Sequence, residues 1–291
     1  MKVVFHIGMH CTDNDSLLRC LLKNRDALAQ EGIIVPGPGR YRPLLQEALR
    51  KLRGAPADLE TQEVILDAVV SEDAPQRLVL SWESFLCAPD KAVGGGALYP
   101  MAGEKSKWLP QVFPGSDCEF HVAIRNPATF LPALFEKAPK ADYAAVMDGA
   151  DPRAMRWSTV IAQIRDNNPA IPLTVWCDED TPLIWPEVLR HVSGHSEKVE
   201  LAHVHDRLAG IMAPAGLEKM RSYLETQPYE TEDQRRRIVS AFLDKYVLDE
   251  AVEIELDLPG WTVDVVDEMT GLYEEDVHRI AHIDGVRFIA P

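Results

Sequence analysis

The 291-residue chain reads as an α/β protein, with a mainly parallel sheet of about five strands flanked by helices and a helical C-terminal part. Three observations predict this. The apolar runs are short, continuous and rich in β-branched residues, as in strands covered on both faces. They alternate with amphipathic stretches at helical spacing, the pattern of strand–helix–strand crossovers. Beyond about residue 200 only helical patterns remain. We expect a single domain over 1–291, in which 1–200 form the α/β core and 201–291 a helical extension packed on it.

Val3 to Ile7 forms the first strand, and Gly8 ends it. Ser16 to Gln30 then places Leu17, Leu18, Leu21, Leu22 and Leu28 on one helical face, with Gly32 closing the helix. Gly32 to Val35 is the second strand, followed by amphipathic helices over Tyr41 to Leu52 and Leu59 to Val70. Arg77 to Ser81, Glu119 to Ile124 and Pro172 to Cys177 complete the strands, with helices over Ala154 to Asn167 and Leu183 to Val192. Gly216 to Thr226, Glu232 to Lys245 and Val263 to Ile283 are the later helices, the second capped by Thr231. Glycine and proline mark "VPGPGRYRP" and "APDKAVGGGALYP" as loops. The second is long enough either to flap over a site or to be a tolerated surface excursion.

The formal net charge is -16, which disfavours nucleic acid, anionic membranes and polyanionic acceptors such as sulfated glycans. No apolar run approaches the roughly 20 residues that span a bilayer, and the N-terminus enters a strand without a signal-peptide pattern. The five cysteines, Cys11, Cys20, Cys87, Cys118 and Cys177, lack CxxC spacing. They read as reduced thiols of a cytoplasmic protein, not as a zinc ribbon. From Asp249 to Asp276 the chain is densely acidic without Lys or Arg. That run is a solvated face, the docking surface of a basic protein partner, or the mark of a salt-tolerant host.

The segment "HIGMHCTDNDSLLRCLLKNRDALAQEGIIVP" has the strand–loop–helix layout of a phosphate-binding loop. It resembles the start of bacterial sulfotransferases, whose strand leads into G-x-P-K-[TS]-G-[TS]-[TS]-S-L and then N-R-x-x-L-x-x-x-G. Gly8, Thr12, Ser16, Leu17, Asn24, Arg25, Leu28, Gly32 and Pro36 stand at matching positions. "CEFHVAIRNPATFLPALFEK" is similar to the family's strand-to-helix element ending in R-[ND]-P. "LVLSWESFL" is similar to its S-S-E-x-[FL] strand end, and "YEEDVHRIAHIDGVRF" to its terminal helix. The resemblance implies a P-loop-like fold and transfer of a sulfuryl group from 3′-phosphoadenosine 5′-phosphosulfate to a hydroxyl or amine. On that resemblance Gly8, Thr12, Ser16 and Arg125 would bind the donor, and Glu83 would be the base that deprotonates the acceptor. A structural loop anchor is the plainer role for Glu83, as core packing is for Trp82.

The loop departs from the pattern where its chemistry matters. Cys11 replaces the lysine, Asp13 the glycine, and Asn14 and Asp15 the hydroxyl residues; Ala133 replaces a later serine, beside a helix-perturbing Pro132. A phosphate cradle needs glycine backbone and a cation, whereas Asp13 or Asp15 here would cap the Ser16 helix and satisfy its positive end. The expectation is an eroded donor site with weak or no donor binding and a binding or regulatory role. The alternative is an active sulfotransferase whose cradle is rebuilt by Arg40, Arg42, Lys105, Lys107 and Arg125. A third reading uses Cys11 as a thiolate near a helix N-terminus, with His6 or His10 as base. Asp13 and Asp15 oppose that activation. His10, Cys11, Asp13, Asp15 and His121 match no metal motif, nor does the His203/His205 pair, and no metal is assigned.

Overall fold

The computed structural model describes residues 1–70, 75–138, 142–147, 149–227, 229–252 and 258–291. Its strands are β1 (Lys2–Gly8), β2 (Ile33–Ile34), β3 (Arg77–Ser81), β4 (Val93–Gly94), β5 (Ala97–Leu98), β6 (Asp117–Ile124), β7 (Leu173–Cys177) and β8 (Val286–Ile289). Six of them form one parallel sheet in the order β2-β3-β1-β6-β7-β8, and β4 and β5 pair antiparallel apart from it. The expected α/β class holds.

The central strand shows why the sheet needs cover on both sides. Val3, Phe5 and Ile7 enter one apolar core, where Phe5 meets Phe85, Phe113 and Phe120. Val4 points the other way, into a second core with Leu17, Leu18, Trp176 and Trp185. Period-two alternation thus divides one apolar run between two helical layers. The second core is covered by α1 (Ser16–Lys23), α2 (Arg25–Ala29) and α9 (Thr181–Ser193). The first is covered by α3 (Pro38–Leu52), α4 (Leu59–Val69), α5 (Ala102–Trp108), α6 (Pro127–Lys137), α7 (Tyr143–Met147) and α8 (Trp157–Asn167).

Several expected elements change on folding. The helix expected over 16–30 breaks at Asn24, whose side-chain amide donates to the Cys20 and Ala202 carbonyls at 2.8 and 2.9 Å. Its Oδ1 accepts the Ala202 N–H at 2.7 Å, so the side chain ties a distant segment to the break. "VPGPGRYRP" is not all loop: Pro38 opens α3 at the position where its missing N–H costs nothing. "AGEKSKW" is helix α5, and the glycine-rich stretch carries β4 and β5. Pro132 lies inside α6 without ending it.

The region after residue 200 is not helices only. A small core of Leu208, Met212, Leu217, Met220 and Val239 joins α10 (Asp206–Ala209), α11 (Pro214–Thr226) and α12 (Glu232–Tyr246). Thr231 caps α12 as expected, accepting from the Gln234 N–H at 3.2 Å. This unit docks on α9 through the buried Arg235, which donates to the Leu183 carbonyl. A short α13 (Asp249–Val252) follows, and α14 (Val263–Ala281) then returns to the main core, where the chain adds β8 as a sixth strand beside β7. The boundary near 200 therefore marks a change of pattern, not of layer. Part of the acidic run, residues 253–257, lies outside the described residues. Among the described residues no helix is long and apolar enough to cross a membrane.

Asp276 fixes α14 in place. It is 1% exposed, and its carboxylate accepts the Ser158 N–H at 2.9 Å and the Ser158 hydroxyl. Ser158 lies in the first turn of α8, so a side chain from α14 satisfies one of that helix's free N–H groups. Asp276→Ala is expected to cost about 2 kcal/mol in urea unfolding, with Asp276→Asn intermediate because an amide oxygen still accepts the N–H.

Candidate functional site

The candidate residues gather at the C-terminal ends of β1, β3, β6 and β7, where the chain leaves the central strand in opposite directions, the position at which open α/β sheets form a ligand crevice. Gly8 makes this approach tight. It has φ +104°, and a Cβ there would lie 2.9 Å from the Glu83 Cα. Its role is thus to let β1 pass against the "SWESF" turn.

The loop after Gly8 is held partly by its own groups and partly by neighbouring elements. Met9 N–H donates to the Ala123 carbonyl at 2.9 Å, and Thr12 Oγ1 donates to the Met9 carbonyl at 2.8 Å. The Asp13 carboxylate accepts the Leu17 N–H at 2.8 Å and the Asp15 N–H at 3.2 Å. Asp13, 8% exposed, is therefore the helix cap. Asp15 is not: its backbone is left-handed (φ 62°) and its carboxylate takes two hydrogen bonds from Arg42, at 2.6 and 3.0 Å. Arg42 also donates to the Ser81 carbonyl, tying the loop to the end of β3. Arg125 donates to the Cys11 carbonyl at 2.6 Å and to Thr129 Oγ1 at 2.9 Å, so its guanidinium braces the loop backbone. Ser16 faces outward and accepts from Arg19 at 3.0 Å.

Cys11 does not become a thiolate. Its side chain is buried, and burial pushes the thiol up to about 11, with Lys137 and Glu83 as smaller opposing influences. Desolvation acts against the depression expected from the helix N-terminus.

Glu83 lies at the mouth beside the loop, paired with Lys137 from the end of α6 at 2.5 and 2.6 Å to its two oxygens. Lys137 gives no sequence signal, since a lysine closing a helix is ordinary dipole complementation. His10 is buried against Tyr99. Its backbone N–H donates to the Tyr99 hydroxyl at 3.0 Å, and its Nδ1 lies 2.6 Å from the same oxygen. The Tyr99 proton has Nδ1 as its acceptor, which places the imidazole proton on Nε2, 3.3 Å from Ser84 Oγ. Burial first, and then Lys137, lowers His10 to about 4, so the ring is neutral near pH 7.

The remaining histidines go elsewhere. His6 bonds Ser81 at 2.8 Å and stacks on Trp176, while His121 faces Glu119 at 3.7 Å. His203 faces Asp206 at 3.5 Å. Among the described residues no three His, Cys, Asp or Glu side chains are placed to hold a metal ion. Of the five basic residues considered for a rebuilt cradle, Arg42 and Arg125 reach the loop. Lys105 lies over the Trp108 ring at 3.3 Å, in a different cleft. Arg40 and Lys107 are exposed.

The β6–β7 side of the crevice adds carboxylates that the sequence reading overlooked. Asp178 accepts from Arg207 at 2.8 Å and is raised to about 6, by burial first and by Asp13 among its neighbours. Glu179 accepts the Asn126 N–H at 2.7 Å and the Tyr273 hydroxyl at 3.1 Å. Comparison with protein-family models, curated proteins and solved structures finds no match.

Two measurements follow from this geometry. In the native protein at pH 8, Cys11 is expected to resist thiol alkylation, becoming reactive only on unfolding; peptide mapping after timed labelling reads this. Asp180, next along from Glu179, is also raised to about 6, by burial and then by Glu179. Its folded value lies above its unfolded one, so the stability it contributes is full near pH 4 and falls as pH rises through 6. Asp180→Asn should therefore gain on wild type by about 1 kcal/mol between pH 4 and pH 7, after allowing for solvent screening.

Proposed function

We propose that the chain is a sulfotransferase-like protein that keeps the strand–loop–helix scaffold of the donor site but not its use, and acts by binding rather than by sulfuryl transfer. The observation that carries this reading is the Asp13 carboxylate on the Leu17 and Asp15 N–H groups. It occupies with a fixed negative charge the place where a donor phosphate would be cradled. A phosphate brought to within ~4 Å of that carboxylate would meet repulsion of about 4 kcal/mol at an effective dielectric near 20. Arg42 does not offset it, because its charge is matched by Asp15, and Arg125, whose donors are held by the Cys11 carbonyl and Thr129 Oγ1, offsets it only in part. Asp178 and Glu179 extend the negative border on the far side.

The active reading keeps one observation of its own. α6 brings Lys137 beside the loop, against Glu83, so a lysine is present near the crevice although none is in the loop. In that reading Lys137 would replace the missing loop cation and Glu83 would be the base. It requires the pair to part and Asp13 to leave the helix N-terminus. No residue near the crevice identifies an acceptor.

Calorimetric titration with adenosine 3′,5′-bisphosphate at low ionic strength separates the two. We expect no saturable heat from folded protein. Micromolar binding that is lost in Arg125→Ala would overturn the eroded-site reading in favour of the transferase.

A further inference from the structure

A second cavity, of about 720 Å³, opens away from the loop. It lies between α3, the 82–88 segment after β3, the β4–β5 ladder and α5. The glycine-rich stretch thus forms a wall. Its interior is apolar and aromatic, with Trp82, Phe85, Leu86, Tyr99 and Trp108 among its lining. Of these Tyr99 is 1% exposed, Leu86 3% and Phe85 4%, so the wall is continuous with the main core.

The charge of this cavity is opposite to that of the chain. Arg50, Arg53, Lys91 and Lys105 line it, and no described Asp or Glu does, in a protein of net charge -16. Arg50 and Arg53, on the last turn of α3 and just beyond it, have no carboxylate within 4.0 Å among the described residues. Lys91 has only a loose 3.9 Å contact with the exposed Asp90, and Lys105 lies on the face of Trp108. Elsewhere several arginines of this chain hold carboxylates, as at Arg42, Arg77, Arg153 and Arg207. Cations left at an apolar cleft focus a positive potential there and keep free N–H donors for a ligand. An apolar cleft of this volume with few polar groups is the form of a small-molecule site.

We infer that this cleft binds a small amphiphilic organic acid, whose alkyl or aryl body lies against Trp82, Phe85, Tyr99 and Trp108 and whose single carboxylate faces Arg50, Arg53, Lys91 and Lys105. A polyphosphorylated ligand fits poorly, because the walls behind the cations are apolar and offer it few donors. A neutral lipid would leave the cations without a partner. The inference goes beyond the reading of the loop and does not depend on it, since none of the cleft's cations touches residues 8–16.

The test is titration of the full chain with sodium decanoate below its micelle concentration, followed by calorimetry and by tryptophan fluorescence, which Trp82 and Trp108 make responsive to this cleft. We expect saturable one-to-one binding, weakened by salt, and at least about tenfold weaker binding of 1-decanol, worth about 1.4 kcal/mol. The Arg50→Gln/Arg53→Gln double variant should lose about tenfold for decanoate and leave decanol unchanged. Both side chains are exposed, so folding is preserved. Lys51→Gln, which removes one positive charge from α3 outside the cleft, should bind as wild type does. Equal affinity for acid and alcohol, an equal loss in Lys51→Gln, or no saturable binding would each overturn the proposal. None of these outcomes bears on the bisphosphate titration, which reports on the loop alone.

Discussion

The carboxylate of Asp13 at the first turn of α1 is the constraint from which the crevice takes its form. A parallel sheet sends β1 into a turn whose free N–H groups must find acceptors, and here the acceptor is covalently part of the turn. The consequences spread outward. With Asp13 committed to Leu17 and Asp15 N–H, Cys11, Asn14 and Asp15 take left-handed backbone. That turn directs Asp15 to Arg42 and offers the Cys11 carbonyl to Arg125. Arg42 in turn grips the Ser81 carbonyl. Each arginine is drawn in by a loop oxygen, so the positive charges around the crevice answer the loop and not a ligand.

What the sequence revealed follows from the range of the forces involved. The strands at Val3, Leu78, Val122 and Val175 were visible because burial on both faces leaves a local, continuous apolar run. A cap by Asp13 or Asp15 was visible because capping acts over a few residues, but not which of the two supplies it. β8 was hidden, since "VRFI" is only four residues long and directly follows a helix. Its pairing with β7 is more than a hundred residues away in sequence. The Asn24 break was hidden for the same reason: its reason lies at Ala202. The raised pKa of Cys11 could not be read locally either. The helix N-terminus that would lower its pKa is a sequence feature, whereas the desolvation that raises it comes from packing.

Charge in this chain is sorted more sharply than its total suggests. Carboxylates outnumber cations, so a cleft lined by four cations and by no described carboxylate stands apart from the rest of the chain. At the crevice Arg42, Arg207 and Lys137 are each matched by a carboxylate, at 2.6, 2.8 and 2.5 Å, while Arg125 bonds the Cys11 carbonyl and Thr129. A few residues away, at the cleft beside α3, Arg50 and Arg53 have none among the described residues. Exposed charges are screened over about 10 Å, so the two regions differ electrostatically although they share a wall.

That shared wall is the turn after β3. Trp82 and Ser84 line the cleft, while Glu83 between them faces the loop and Lys137. The turn, closed by the Phe85 N–H on the Trp82 carbonyl at 3.3 Å, splays these side chains apart, so three consecutive residues serve two sites. His10 joins them from the loop side, its Nδ1 on Tyr99 and its Nε2 near Ser84. Because His10 is lowered to about 4, this link keeps one protonation state across the neutral range and neither site gains a pH switch from it. The arrangement rests on Gly8, where a Cβ would press into Glu83 at 2.9 Å. A side chain there would push the turn away from β1, moving Glu83 out of the crevice and Trp82 and Ser84 within the cleft together. The glycine that looks in sequence like the start of a phosphate cradle is, in the folded chain, the contact that lets one turn divide two sites.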